Sequence, residues 1–557
     1  MSKQVFLLLL CFPILLSCGT KSKKVDDVDL VVYNGNIYTV DEEFTMAEAM
    51  AVDNGRIIAI GNDKSIQRKY RGLQEVDLHG KSVFPGFIDG HCHFYGYGIT
   101  LIRNIDLRGV PSFDEVVKKL VAHHQAHQSD WLVGFGWNET TWPKKEVPSN
   151  EVLNKVFPSI PVVLTRSDGH AVLANTTALR LAGIDGKAMF DGGEVVVVDG
   201  KVTGLLIDKA AELVRSMIPN VTLQDKIEAL DKVQKECLTY GLTTVNDAGL
   251  DYPEIQLLDS LQEQSYLKIR VNSMLLPSKE NIDNYLLRGP YTSDYFRVQC
   301  VKLYVDGSLD SRGALLLEPY SDEPNNYGLF LGGEDYLNRI CQMAYRTGFQ
   351  VATHCIGDSA NRIMLNIYAK HLRGKNDRRW RIEHAQVVNP MDLSKFKEYS
   401  IIPSIQATHA TSDYKWAQDR LGAERIKHAY VFQDLLNQNG WIINGTDFPV
   451  EGINPLSSFY AAVTRKNSVG LPKGGFFPEQ ALSRVEALKS ITIWAAKGCF
   501  EDKTKGSLEK DKLADFVVMN FDFMDSSDED ILNAKPIAVF VGGELVEGDI
   551  EIRMNGK

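Results

Sequence analysis

The chain lacks the cysteine pairing of a disulfide scaffold. Its eight cysteines form no C-x-x-C pair: Cys11 and Cys18 fall in an N-terminal leader, and Cys92, Cys237, Cys300, Cys341, Cys355 and Cys499 are scattered. A chain of 557 residues with 44% hydrophobic content can build a large core without such staples, so these six read as small buried hydrophobes. It also lacks an excess of basic charge. With 61 Lys and Arg against 72 Asp and Glu, the formal net charge is -11, which argues against the clustered positive footprint of a nucleic-acid binder. Short internal repeats and low-complexity tracts are missing. The apolar run Val5 to Leu16 is too short to span a bilayer as a mature helix, but it has the length of a secretory h-region after Lys3.

That run ends Leu15-Leu16-Ser17-Cys18-Gly19, which resembles the bacterial lipoprotein lipobox. The resemblance implies a signal peptide over 1–17, lipidation of Cys18, a polar tether over 18–28, and a mature protein held at the bacterial cell envelope with the membrane as partner. An uncleaved anchor or an ordinary signal peptide is the alternative.

From Asp29 to about Lys81, short β-branched runs alternate with turn signals such as Asn34-Gly35 and Asp53-Asn54-Gly55. Asp515 to Met519 and Pro536 to Val546 repeat that pattern at the far end. The two ends together predict one composite β domain over 29–82 and 498–557. Between them, over 83–497, strand-like runs alternate with amphipathic helical stretches, the pattern of a parallel α/β architecture. Candidate strands include Trp131 to Phe135, Pro161 to Thr165, Thr243 to Asn246, Ile269 to Asn272, Val298 to Val305, Phe349 to His354, Trp380 to His384, Ile401 to Ile405 and Trp441 to Asp447. These supply an eight-stranded barrel with some to spare, and the stretch of about 131–214 reads as an insertion over one barrel face.

Ligand-type residues repeatedly finish apolar runs. His91 and His93 close Ser82 to Gly90, and residues two apart in an extended segment face the same way, so both imidazoles can reach one ion while Cys92 points elsewhere. His354, His384 and Asp447 end three later runs. Four histidines and one carboxylate at strand ends form a nitrogen-and-oxygen set that suits zinc and similar ions, at the barrel face where active sites sit. Each has a plainer reading: His354 or His384 as a hydrogen-bonded core histidine, Asp447 as a helix N-cap before Phe448-Pro449. His123, His124 and His127 lie in a polar helical stretch and read as surface.

The order His91-x-His93, Lys302, His354, His384, Asp447 resembles the amidohydrolase superfamily. The words around it, Pro85 to His93, Val301 to Leu309, Thr353 to Asp358, Arg381 to Ala385 and Gly445 to Pro449, resemble its family 3 branch, which includes N-substituted formamide deformylase. The resemblance implies a (β/α)8 TIM barrel with a composite β-sandwich domain from the two termini. It also implies a metal site of His91, His93, Lys302, His354, His384 and Asp447 for a divalent ion, two zinc ions or one, with Lys302 carboxylated as a bridge. An ordinary Lys302 paired with a carboxylate is the alternative and would favour one metal.

The implied activity is hydrolysis of a non-peptide C–N bond of a small-molecule amide by metal-activated water, with Asp447 as the base. A mononuclear deaminase or cyclic-amide hydrolase, and a ligand-binding lipoprotein without activity, are the competing readings. Substrate contacts are expected from His170, from Trp137 and Glu139 near Trp142, and from Asp306 and Arg312 in the loop after Lys302. For His170 a structural role is open, as is aromatic packing for the tryptophans. Ser311-Arg312-Gly313-Ala314 departs from the branch, which commonly has a hydroxyl residue where Gly313 stands.

Overall fold

A computed structural model describes residues 25–184, 192–219 and 221–555. The leader, Cys18 and most of the tether lie outside the described residues. Among the described residues no helix is long and apolar enough to cross a membrane.

Eight parallel strands form a nearly closed barrel: β1 Phe87–Cys92, β2 Leu242–Leu250, β3 Arg270–Leu275, β4 Phe296–Tyr304, β5 Gln350–Cys355, β6 Arg381–His384, β7 Ile402–Ile405 and β8 Ile443–Asn444. Hydrogen-bonded neighbours follow that order, which is the expected fold. The strands are buried on both faces, and polar residues such as Asn246, Asp247, Lys302 and Glu383 are buried among their apolar ones. Helices such as Leu223–Thr239, Glu334–Thr347 and Asp358–Leu372 cover the outside.

Two glycines let β8 come back to β1. A Cβ on Gly90 would overlap Ile443 Cγ2 and Asn444 O, and one on Gly445 would overlap His91 N. With both absent, Asp447 N–H donates to His91 O at 2.8 Å and His93 N–H to Phe448 O at 2.9 Å. Buried Asp89 fastens the same seam by accepting from Thr446 Oγ1 at 2.6 Å and from the backbone N–H of Thr446 and of His91, both at 3.1 Å.

Two further sheets combine both ends of the chain. One orders Arg553–Met554, Tyr70–Asp77, Asp26–Tyr33, Ala49–Asp53 and Arg56–Gly61; the other orders Glu544–Gly548, Pro536–Val541, Phe516–Met519, Ser82–Pro85, Asn36–Tyr38 and Met46–Ala47. Their shared core includes Leu30, Val32, Ile37, Val83, Phe516 and Phe540. Only Gly86 separates strand Ser82–Pro85 from β1, so the chain passes from the extra domain directly into the barrel at this joint. Buried Arg270 at the start of β3 binds both oxygens of Asp515, at 2.7 and 2.9 Å, across that joint.

Between β1 and β2 a third sheet is inserted, ordered Gly193–Val198, Lys201–Asp208, Ala171–Ala174, Val162–Arg166, Leu132–Trp137 and Ile105–Asp106. The runs Trp131 to Phe135 and Pro161 to Thr165 belong here rather than to the barrel. The sheet also starts earlier than the sequence suggests, because Ile105–Asp106 is too short to give a strand pattern of its own. The six cysteines of the described chain are free and buried. His124 packs half-buried on Phe157 rather than standing in solvent, and the side chain of His127 lies outside the described residues.

Candidate active site

The C-terminal ends of the strands bring six of the expected residues, and one unexpected one, to one place. His91 lies in β1 and His93 just past it, Lys302 in β4, His354 in β5, His384 at the end of β6, and Asp447 just past β8. The addition is His409, on helix Ala407–Asp413 directly after β7.

Asp447 is the centre. Its Oδ1 stands 3.2 Å from His93 Nε2 and 3.5 Å from His91 Nε2, and its Oδ2 stands 3.6 Å from His409 Nε2 and 3.9 Å from His384 Nδ1. Two sets of donors therefore share one carboxylate: His91, His93 and Asp447, and His384, His409 and Asp447. Within each set the donor atoms lie within 4.8 Å of one another. His354 stands beside the second set, its ring centroid 4.5 Å from that of His384, without joining it.

The remaining nitrogens of the first pair are occupied. His91 Nδ1 faces the carboxylate of buried Glu383 at 2.5 Å, and Glu383 is itself clamped by Arg381 through Nε at 2.6 Å and Nη2 at 2.8 Å, and by Ser404 Oγ at 2.8 Å. His93 Nδ1 meets Ala248 O at 3.0 Å. These contacts fix the tautomers and leave both Nε2 atoms aimed at Asp447.

Electrostatics prepares the donors for a cation. Burial pushes the His91 imidazole down to about 4, with Lys302 adding to the shift. Burial likewise holds His354 and His384 well below the ordinary histidine range. Burial alone would raise Asp447, but the imidazoles of His91, His93 and His384 hold its carboxyl well below the usual value. Neutral imidazoles and an ionised carboxylate are the states that ligate metal. Burial also brings Lys302 down to about 8, 3.2 Å from His91 Nε2 and over the Tyr304 ring.

The donor atoms fit a divalent ion. His354 Nε2, His384 Nδ1, His409 Nε2 and Asp447 Oδ1 are buried without a hydrogen-bond partner, an arrangement that is costly unless something else satisfies them. The set holds nitrogen and oxygen but no thiolate, which suits zinc and similar ions. His384 and Asp447 also adopt left-handed backbone, φ 70° and 60°, at roughly 1–3 kcal/mol each. Such strain is concentrated where geometry matters more than stability.

A cavity of about 750 Å³ opens over these donors, lined by Arg108, Asn138, Asp168, Asp310, Asp413 and Glu451 among others. His170 is in its wall, its Nδ1 2.7 Å from Asp208 Oδ1. The other expected substrate residues stand behind the wall. Trp137 is packed on Trp142 and donates Nε1–H to Leu164 O, so its indole belongs to the insertion core. Glu139 receives Arg166 at 2.8 and 3.0 Å, and Arg166 continues to Asp168 and Asp310, forming a buried ion network between insertion and barrel loop. Asp306 is fully buried and accepts backbone N–H from Ile356, Gly357 and Leu315. It shapes the loops above β4 and β5 rather than facing the cavity. Arg312 pairs with Asp322 at 3.2 and 2.9 Å, outside the cavity.

Sequence reasoning passed over His409, Glu383, Arg166 and Asp208. His409 left a faint signal, a histidine four residues beyond the run Ile401 to Ile405, but on a helix instead of a strand end.

Related sequences align with nearly the whole chain. LONG AFTER FAR-RED 3 of Arabidopsis thaliana is 37% identical over 537 residues, covering 93% of this chain and 91% of its own. YtcJ of Bacillus subtilis, which carries an amidohydrolase name, is 32% identical, covering 88% and 94%. The N-substituted formamide deformylase of Arthrobacter pascens is more distant at 25%, covering 93% and 98%. The crystal structure of an uncharacterized metal-dependent hydrolase from Pyrococcus horikoshii superposes with a TM-score of 0.74 at 28% identity, covering 90% of this chain and 99% of that one. The sequence of this chain matches the amidohydrolase family 3 model over residues 74–547, and the protein therefore belongs to the amidohydrolase family.

Proposed function

We propose that this amidohydrolase cleaves a non-peptide C–N bond of a small, polar amide, with divalent metal held by the donors around Asp447. The observation that carries the reading is the pair of histidine sets sharing one carboxylate, with buried donor atoms left unpaired. His91 and His93 would hold one ion and His384 and His409 the other, with Asp447 between and His354 close by. A divalent ion held there would make water acidic enough to attack near neutral pH and would polarise the scissile carbonyl.

The protein's own residues do the rest. Asp447, ionised by its histidine neighbours, takes the proton of the attacking water at its carboxylate and returns it to the departing amine. Glu383 and the Ala248 carbonyl hold His91 and His93 in the orientation this requires. Lys302, whose amine burial brings down to about 8, is proposed to add through Nζ to carbon dioxide with loss of a proton to solvent, and the resulting carbamate would offer anionic oxygens to bound metal. A buried ammonium next to two cations is unfavourable, whereas the carbamate anion is attracted. Lipidation of Cys18 and attachment to the cell envelope belong to the same proposal, and incorporation of a labelled fatty acid that is lost in Cys18→Ser tests them.

The test of activity is a screen of the metal-loaded protein on N-formyl and N-acyl amines, cyclic amides and aminopurines. Release of amine from an acyclic amide, abolished in Asp447→Asn, is the expected result. Turnover of aminopurines alone would shift the reading to a deaminase.

A further inference from the structure

We propose that Asp208, at the end of the inserted strand Lys201–Asp208, is a positioning residue that fixes the tautomer of His170 and turns its Nε2 towards the substrate. The inference rests on the amide-hydrolase reading for the identity of the reaction, but the geometry stands by itself. His170 Nδ1 and Asp208 Oδ1 are 2.7 Å apart, and the Asp208 backbone N–H also donates to His170 O at 3.0 Å. The two residues are thus joined through side chain and main chain together. With Nδ1–H given to the carboxylate, the neutral imidazole keeps its lone pair on Nε2.

With Nδ1 taken by Asp208, Nε2 is the nitrogen left for the cavity that His170 lines. The His170 side chain is 19% exposed, it lines the cavity, and its ring centroid lies 5.5 Å from that of His354. A substrate held at the metal donors would come within reach of that nitrogen, which would accept a hydrogen bond from an N–H or O–H of the substrate. The inserted sheet then contributes a contact that the barrel strands cannot supply.

Asp208 is held in place at some cost. Its backbone sits at φ 50°, ψ -119°, a conformation uncommon for any residue but glycine, and such outliers persist only where the surroundings impose them. Its second oxygen, Oδ2, is buried without a partner. The loop that follows Lys302 closes over that oxygen at two glycines: a Cβ on Gly307 would lie 3.0 Å from it and one on Gly313 3.4 Å. Asp168 accepts the His170 backbone N–H at 3.1 Å, and Arg215 donates to Gly169 O, so the turn carrying His170 is braced from both sides.

The experiment is nitrogen-15 NMR of the histidines in the metal-loaded full-length protein at alkaline pH, where the imidazole is neutral, with the His170 signal assigned by its loss in His170→Gln. The wild type should carry its proton on Nδ1. Asp208→Asn, whose amide can donate to Nδ1, should move the proton to Nε2, and Asp208→Glu should restore the wild-type state. A proton on Nε2 in the wild type, or a tautomer unmoved by Asp208→Asn, overturns the assignment.

A kinetic arm uses whichever amide the wild type turns over. His170→Gln and Asp208→Asn should each lower kcat or raise KM by about 10–100-fold at unchanged metal content, and the double variant should be no worse than either alone. Additive losses, or losses that follow metal content or thermal stability, would mark a merely structural pair. If no amide is turned over, the hydrolase reading fails while the NMR result still decides the role of Asp208.

Discussion

His409 Nε2 lies 3.6 Å from Asp447 Oδ2, on the opposite side of the carboxylate from His93. That relationship separates the donors into two sets and gives each its own mutational signature. Replacing His409 with Ala removes a donor from the second set and leaves the first whole. The expected outcome is a chain that binds close to one ion instead of two, read by metal analysis after dialysis, with activity reduced by at least 10-fold. Full retention of two ions would place His409 outside the metal site.

Glu383 acts at one remove, through His91 Nδ1. Glu383→Gln keeps the shape but weakens the hold on that imidazole, and metal affinity should fall about 10–100-fold, as it does for outer partners of ligating histidines. Glu383→Ala additionally strands the buried Arg381 guanidinium, and unfolding free energy should drop by about 3–5 kcal/mol. Competition with a chelator and denaturant titration measure the two effects separately. Equal metal affinity in Glu383→Gln would contradict the role given to it.

Gly90 closes the barrel by having no side chain. In Gly90→Ala the methyl group meets Ile443 Cγ2 and Asn444 O, and the seam that carries Asp447 must open. A loss of about 1–3 kcal/mol is expected from overpacking, together with weaker metal binding. Wild-type stability in this variant would show that the seam is looser than described.

Acid should loosen the joint between the extra domain and the barrel. Burial would raise the Asp515 carboxyl, but Arg270 outweighs it and holds the folded value below the ordinary one. A depressed carboxyl contributes stability above its unfolded pKa and loses it as pH falls through the folded value. The wild type should therefore lose its advantage over Asp515→Asn as pH drops below about 4, measured as the difference between their unfolding midpoints. A difference that does not change with pH would deny the ion pair this role.

Much of the barrel was legible because its strands are buried on both faces and its donors finish apolar runs. His91 and His93 obey the two-residue period of a strand, and His354, His384 and Asp447 mark three more strand ends. His409 escaped because it follows β7 on a helix, where nothing in local periodicity separates a residue facing the site from a helical surface histidine. Asp306, Glu139 and Arg312 stand close to the site in sequence, but their charges are spent on backbone amides and buried ion pairs, which only the folded chain discloses. Asp208 was hidden for a related reason: its meaning comes from pairing with His170 across two antiparallel strands far apart in sequence. The insertion was partly legible, since its glycine-rich turns gave it away while its first strand did not.

The most direct measurement is the metal content of the purified protein. Close to two divalent ions per chain, falling well below that in Asp447→Ala because both sets lose their shared carboxylate, is the result this account predicts. Well under one ion per chain in a folded wild type supplied with zinc or manganese would contradict it.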